Sequence, residues 1–402
     1  MSSPDLTDVE IAAVNDVLRT RYLSIGPQLE GFEQAVALYL GAAHAVGVNS
    51  GTSGLHLAVI AAGVGDGSYT NRDGRADLVI TTPFSFVASA NCILYQRAIP
   101  IFVDVDPATG NIDPDQVAEA ADDLTGGEHS ARRWLPPAVR DSHPVLGRLK
   151  AILPIHTFGQ PAHMDPILEV GARHQLTVIE DACEALGAEY RGRKAGTLGD
   201  AAVFAFYPNK QMTTGEGGMI VTRDEAWADL FRSLRNQGRD VFDAWLNHSR
   251  LGYNYRLDEL SAALGRAQVG RIEEMLARRE QVANWYNERL AGVELVERPH
   301  VAPTTSRMSW FVYVVRVKSP ASRNDVMQAL AGEGIPTRRY FSPIHLQPFY
   351  REHFGYQRGD FEVTELLGDV SLALPFSGVM SESQVDQVCD GLRVAVGATR
   401  EQ

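Results

Sequence analysis

Lys210 stands in the stretch FAFYPNKQMTTGEGGMIVT (204–222), between two apolar runs and just ahead of a Gly-Glu-Gly-Gly turn. A loop lysine is ordinarily a solvated charge. One held among buried strands has a depressed ammonium pKa and supplies the free amine that condenses with a carbonyl. The Gly215-Glu216-Gly217-Gly218 turn lets main chain pass close to a ligand without a side-chain clash. Upstream, the run LTVIEDACEALGA (176–188) carries an apolar strand straight into Glu180 and Asp181. An acid there can cap the next turn, or it can sit against a cationic ring nitrogen and stay ionised beside it.

Two further stretches have chemical potential. In VNSGTSGLHLAVIAAG (48–63) a glycine turn opens a helix. The free amides of Gly51, Thr52 and Ser53, with two hydroxyls, would favour a phosphate, although Ser and Thr are also ordinary helix caps. In TTPFSFVASAN (81–91) a strand ends at Phe84 and Phe86. Either ring can belong to the core or stack on a flat ligand at the carboxyl edge of a sheet. Each feature has a plain structural reading. Together they describe one ligand with a phosphate, a flat ring, a cationic ring nitrogen and an aldehyde, which is pyridoxal 5′-phosphate.

The elements that must hold these residues are legible as alternating strands and helices from about residue 45 to 222. DLVITTP, IPIFVDVD, KAILPIH, LTVIEDA, AAVFAFY and GGMIVT are nearly continuous apolar runs, as in strands buried on both faces of a mostly parallel sheet. Thr7 and Glu10 predict a capping box for a first helix with Ile11, Val14 and Leu18 on one face. The polar stretches 63–77 and 122–144 are expected to be surface insertions. Residues 257–291 predict one long helix, with Leu257, Leu260, Leu264, Val269 and Ile272 as its buried stripe. VERPHVAPTTSR (296–307) reads as a linker. WFVYVVRV and IPTRRYF follow as strands, and SRNDVMQALAGEG and SESQVDQVCDGLR as helices.

The chain has 402 residues and a formal net charge of -13. That length favours two domains, placed at 1–255 and 256–402. The charge repels nucleic acid, and no basic stripe offsets it. No apolar run is long enough for a membrane span, and the first residues do not form a secretory signal. Three scattered cysteines suggest neither disulfides nor a metal site. A cytoplasmic protein is the simplest expectation.

The sequence resembles the fold-type-I pyridoxal-phosphate enzymes of the nucleotide-sugar aminotransferase (DegT-type) family along nearly its whole length. The resemblance is carried by IGPQLEGFE, NSGTSGLHLA, TTPFSFVASAN, FVDVDPATGNIDP, IEDACEALGA, GTLGDAAVFAFYPNKQMTTGEGG, LRNQGR, LGYNYRLDELSAALG and FSPIHLQPFY, in that order. It looks closest to 4-amino-sugar enzymes of the perosamine-synthase kind. It implies an α/β fold: a large domain around a mostly parallel sheet flanked by helices, and a smaller C-terminal α+β domain. It implies Lys210 as the cofactor-linked lysine and proton carrier, Asp181 as the pyridinium partner, Phe86 as the stacking ring, and Thr52 and Ser53 beside Gly51 at the phosphate. Asn254 resembles an asparagine given to the phosphate by a second subunit, and Arg256 the arginine that receives the donor carboxylate, so a homodimer with shared sites is implied.

Two positions depart from the family pattern. Ala205 stands where many members have a serine on the phosphate, a loss of about 1 kcal/mol for one hydroxyl contact. Glu184 stands where many have Gln or His near the cofactor's ring hydroxyl. A carboxylate there would be protonated with a raised pKa or turned away. His345 in PIHLQP is a candidate for the sugar pocket, and Arg338 and Arg339 for a nucleotide diphosphate. His156 and His345 read equally as structural histidines, and the two arginines as surface residues. The implied reaction moves an amino group from an amino acid, L-glutamate being the expected donor, to a nucleotide-linked 4-keto-6-deoxy sugar. A keto-cyclitol acceptor, or a non-catalytic regulatory protein retaining the fold, are the alternatives.

Overall fold

In the computed structural model, residues 3–65, 76–141, 146–239 and 247–398 are described. Seven strands make the large sheet: β1 (His44–Val48), β2 (Ala76–Thr81), β3 (Ile99–Phe102), β4 (Leu146–Ile152), β5 (Thr177–Asp181), β6 (Ala201–Ala205) and β7 (Gly218–Thr222). Their order is β1-β7-β6-β5-β4-β2-β3. Strand β7 runs antiparallel to both neighbours, and the other pairings are parallel.

Side chains alternate between the two faces, so each strand feeds two cores. Val46, Val79, Ile179, Val203 and Ile220 enter one core with the helix α3 (Gly51–Ala61). Their neighbours Ala45, Ala202, Phe204, Met219 and Val221 enter another with α2 (Pro27–Leu40), and Leu78, Ile80 and Val178 a third on that opposite face. Burial on both faces explains why these strands read as unbroken apolar runs.

The topology gathers particular chain ends at one sheet edge. Asp181 closes β5, Ala205 closes β6, and Gly218 opens the reversed β7, paired with both Ala205 and Val48. The turn from β1 into α3 lies at the same edge. A Cβ on Gly218 would lie 2.6 Å from the Ser50 carbonyl, so only glycine lets β7 pass that turn.

A second, antiparallel sheet is formed by β8 (Val296–Glu297), β9 (Tyr313–Val317), β10 (Arg338–Arg339) and β11 (Ser371–Leu374) in the order β8-β9-β11-β10. The helices Ile272–Arg289, Arg323–Gly332 and Glu382–Ala398 pack on it around Tyr286, Tyr313, Val326 and Leu392.

Several sequence expectations change. The stretch 257–291 is two helices, Glu259–Gly270 and Ile272–Arg289, because Arg271 leaves helical geometry (φ -115°, ψ 7°). Leu260, Leu264 and Val269 are only half-buried, and the buried face is Ala262, Ala263, Gly265 and Gln268. The first helix, α1 (Asp8–Leu18), has its capping box, yet Ile11 and Leu18 are exposed. Glu10 and Val17 are buried instead, and Glu10 accepts from Arg271 and Gln268, each at 2.8 Å. The stretch 122–144 is not a plain loop: Asp113 caps a helix over Pro114–Gly126, short helical turns follow, and Ala131 and Leu135 are buried. Its last residues, 142–144, and 66–75 of the first insertion lie outside the described residues. Within the expected linker, Thr305–Arg307 is a strand against Glu189–Tyr190, and of IPTRRYF only Arg338–Arg339 is strand.

Candidate active site

A cavity of about 1050 Å³ opens at the edge where β5, β6 and β7 meet the first turn of α3. Lys210, Asp181, Glu184, Gly51, Thr52 and Phe86 all line it. Of the chain's four lysines, Lys150, Lys194, Lys210 and Lys318, only Lys210 does so among the described residues. Lys194 pairs instead with Glu189 at 3.8 Å and Lys318 with Glu297 at 3.5 Å.

Asp181 is almost fully buried and held by two donors. Its Oδ2 accepts from Ser89 Oγ at 2.7 Å, and its Oδ1 from the Cys183 N–H at 3.1 Å. Burial, reinforced by Asp181, holds the Cys183 thiol protonated. The adjacent Glu180 faces away into the sheet. It accepts from the N–H groups of Gly196, Leu198 and Gly199 and from His156 Nε2 at 2.8 Å. Burial pushes Glu180 up, but these donors outweigh it and hold the carboxyl below its ordinary range. His156 Nδ1 accepts from the Ala162 N–H, which puts the proton on Nε2. The strand alternation thus splits the pair: Glu180 and His156 brace the 196–199 loop, and Asp181 meets the cavity.

Lys210 Nζ lies 3.6 Å from Glu184 Oε1 and 3.9 Å from the centroid of the Phe311 ring. The other Glu184 oxygen accepts from the Phe158 N–H at 2.9 Å. Burial drives the Glu184 carboxyl upward, and Asp181 adds to this. The Lys210 ammonium and the Phe158 N–H oppose it without cancelling it. Glu184 is therefore turned toward the lysine, and its pKa is raised.

At the first turn of α3, where the sequence predicts a phosphate, the lining differs in one member from expectation. Ser50 caps α3, its Oγ accepting from Ser53 N–H at 3.1 Å. Ser50, Gly51 and Thr52 line the cavity, whereas Ser53 is buried behind it with its hydroxyl donated to Asn49 Oδ1 at 2.7 Å. Helical geometry turns the fourth residue inward, so Ser50 takes its place at the opening. A Cβ on Gly51 would lie 2.7 Å from Ala205 Cβ and 2.9 Å from Cys183 Sγ. Phe86 is 64% exposed at the cavity, while Phe84 is core, edge-on to Phe158 and Phe341.

Four candidates do not line the cavity of their own chain. His345 is fully buried, with Nε2 3.0 Å from Glu365 Oε1, and burial lowers its pKa despite that carboxylate. Arg338 is exposed and turned off the cavity, while Arg339, its opposite-facing neighbour on β10, lines it. Asn254 and Arg256 also lie away from the cavity of their own chain. Asn254 is exposed and its carbonyl accepts from Asn49; Arg256 donates to Asn236 Oδ1 at 3.2 Å.

The lining also includes residues that sequence reasoning missed: Tyr207, Asn209, Phe311, Tyr340, Gln347 and Tyr350. Asn209 borders the lysine in PNK and could have been read from that adjacency. The others come from distant segments with no local signal.

These residues fit pyridoxal 5′-phosphate. A strand-end carboxylate, a single cavity lysine, an exposed ring and a helix N-terminus opening with Ser50, Gly51 and Thr52 all face one space. Asn209 Oδ1, buried on the cavity wall, has no protein partner, so a polar ligand can complete it. Sheet, edge and site together define a fold-type-I pyridoxal-phosphate enzyme.

Comparison with known proteins agrees. A profile of the DegT/DnrJ/EryC1/StrS aminotransferase family matches residues 4–393. The chain is 39% identical to GDP-perosamine synthase of Caulobacter vibrioides, over 98% of this chain and 96% of that protein. Among solved structures it is similar to S. venezuelae DesV (32% identity, TM-score 0.82, covering 96% of this chain and 94% of that one). It is also similar to DesI solved in the presence of its TDP-sugar product (29% identity, TM-score 0.83, 99% and 93%). The chain belongs to the DegT/DnrJ/EryC1/StrS aminotransferase family. It is a pyridoxal-phosphate-dependent aminotransferase.

Proposed function

We propose that the enzyme transfers an amino group from L-glutamate to a nucleotide-linked 4-keto-6-deoxy sugar in aminosugar biosynthesis, with Lys210 and Asp181 as its catalytic pair. The observation that carries this reading is the single cavity that both side chains share, about 1050 Å³. That is at or above the upper end for drug-sized ligand sites, roughly 300–1,000 Å³, so a nucleotide sugar has room beside the cofactor. The names of the relatives, GDP-perosamine synthase and a DesI with a TDP-sugar product, support this acceptor class.

Pyridoxal 5′-phosphate, when bound, supplies an aldehyde that takes up the amino group and a ring that withdraws electrons from the carbon that loses its proton. Asp181, held by Ser89 and Cys183, would keep the proton on the ring nitrogen. Ser50, Gly51 and Thr52 would hold the phosphate at the N-terminus of α3, and Phe86 would offer a ring for stacking. Lys210 Nζ takes the proton from the donor's carbon and later delivers one to the acceptor's. Glu184 stands 3.6 Å from that nitrogen, its carboxyl pushed above the ordinary range by burial. Arg339 at the cavity mouth suits a diphosphate, since a guanidinium fork matches phosphate oxygens.

A homodimer completes the site in this reading. Asn254 and Arg256 of one subunit serve the cavity of the other. Their position away from their own cavity supports it, as do the exposed apolar side chains Val9, Ile11, Leu18, Leu23 and Ile25 in one N-terminal segment. The free cysteines Cys92, Cys183 and Cys389 support a reducing, cytoplasmic setting. None of the described helices is long and apolar enough to cross a membrane.

The test is a panel of nucleotide keto-sugars and a keto-inositol, each incubated with L-glutamate and read by mass. Amination of a nucleotide sugar is the expected product. Amination of the keto-inositol alone would replace the acceptor class, and absence of transfer to any ketone would remove the reading.

A further inference from the structure

The guanidinium of Arg279 is buried directly behind the lysine. Its Nη2 donates to the Lys210 carbonyl at 2.6 Å, and its Nη1 to the carbonyls of Trp310 and Phe311 at 3.2 and 3.3 Å. One planar fork therefore grips two separate segments. The first carries the amine, and the second carries the aromatic face that the amine rests on, 3.9 Å away. We propose that Arg279 is a positioning residue for Lys210, fixing the amine against Phe311 by holding the main chain of both. The proposal rests on the reading of Lys210 as the cofactor-linked amine.

The helix bearing Arg279 explains how it can do this. Ile272, Met275 and Leu276 pack in a core of the large sheet, and Val282, Ala283 and Tyr286 in the core of the small one. Arg279 stands at the changeover. Burial lowers its pKa to about 10, so it remains a cation at neutral pH. A desolvated cation with its donors committed to carbonyls is retained at a cost, and tying two segments to one helix is what that cost achieves here. The held segment is fixed from its other side too. Ser309 N–H donates to the Gly159 carbonyl at 3.0 Å, and Phe311 N–H to the Phe158 carbonyl at 3.3 Å.

The competing position for the amine is Glu184, at 3.6 Å. Lysine is a point charge on a flexible stem, so it follows whichever neighbour is better placed. With Phe311 held, the amine has an apolar, polarisable support. With Phe311 loosened, the carboxylate draws it off the path to the cofactor's aldehyde.

The experiment mixes apo-enzyme with pyridoxal 5′-phosphate and quenches with borohydride at timed intervals. Condensation releases one water, and hydride then reduces the C=N bond to a secondary amine, which marks Lys210 for peptide mass analysis. Arg279→Lys keeps the charge but not the fork, and Phe311→Leu removes the face. Each is expected to slow trapping about tenfold, the scale of a sub-ångström misplacement. The double variant should be no slower than the slower single one, because both remove the same support. A thermal melt confirms folding. Should Arg279→Lys fail to fold, Arg279→Gln, which keeps two N–H donors, replaces it. Wild-type trapping rates in a folded Arg279 variant or in Phe311→Leu, or effects that simply multiply, would overturn the proposal. Failure of the wild-type enzyme itself to trap at Lys210 would instead overturn the reading of that lysine.

Discussion

Gly51 and Ala205 approach so closely that a methyl group on Gly51 would stand 2.7 Å from the β-carbon of Ala205. The opening of α3 and the end of β6 are thus packed backbone against methyl at the end of the cavity proposed to take the phosphate. Gly51→Ala forces one of them to move, an overpacking cost of about 1–3 kcal/mol. In a folded variant the expected outcome is at least tenfold weaker pyridoxal 5′-phosphate affinity by absorbance titration. Ala205→Gly in the same chain should recover part of it. Undiminished affinity in Gly51→Ala would show that the cradle lies elsewhere.

Glu184 predicts a pH dependence of stability. Burial raises its pKa in the folded chain, so folding favours the protonated form. Its contribution is complete below the ordinary carboxylate pKa and is lost as pH rises through the raised folded value. Glu184→Gln stays neutral throughout. The apo variant should therefore gain in Tm relative to the wild type as pH climbs from about 4.5 toward neutrality. A Tm difference that does not vary with pH would contradict this. In the holoenzyme the variant should also shift the titration of the cofactor's absorbance.

Much of this site was legible because its chemistry is local in sequence. The strand ending in Asp181 and the turn holding Lys210 carry their own burial and turn signals. So does the capped helix after Val48. What escaped depends on packing between distant segments. Nothing around Arg279 in LARREQVANWY marks it as buried, since its acceptors lie at 210, 310 and 311. His345 looked available because PIHLQP sits near the cavity, and Ile344 and Gln347 do line it. The intervening turn sends the imidazole the other way, to Glu365. The pair Arg338 and Arg339 could not be ranked until β10 gave them opposite faces. The break at Arg271 was hidden because both flanking helices keep good helical composition.

Arg339 and Arg338 give a matched pair of substitutions. Arg339→Ala should raise the KM for the nucleotide sugar about tenfold or more, the loss of hydrogen bonds to a charged group. The half-reaction with glutamate should be unchanged. Arg338→Ala should behave as wild type. Equal effects from the two would mean that neither contacts the acceptor.

The proposed sharing of sites between two subunits predicts complementation between dead enzymes. Lys210→Ala and Arg256→Ala homodimers should each be inactive. On mixing and exchange, about half the dimers are hybrids with one intact site, which restores about a quarter of wild-type activity. No recovery, with exchange shown by tagged subunits, would place Arg256 outside the partner's site.

The central claim is that Lys210 carries the cofactor, and the scarcity of lysine makes it directly measurable. Only Lys150, Lys194, Lys210 and Lys318 can be labelled on a side chain. Holoenzyme reduced with borohydride and digested should yield one phosphopyridoxyl peptide, modified at Lys210 and absent after pretreatment with excess glutamate. A modified Lys150, Lys194 or Lys318, or unmodified Lys210 in enzyme that retains its cofactor, would contradict the account.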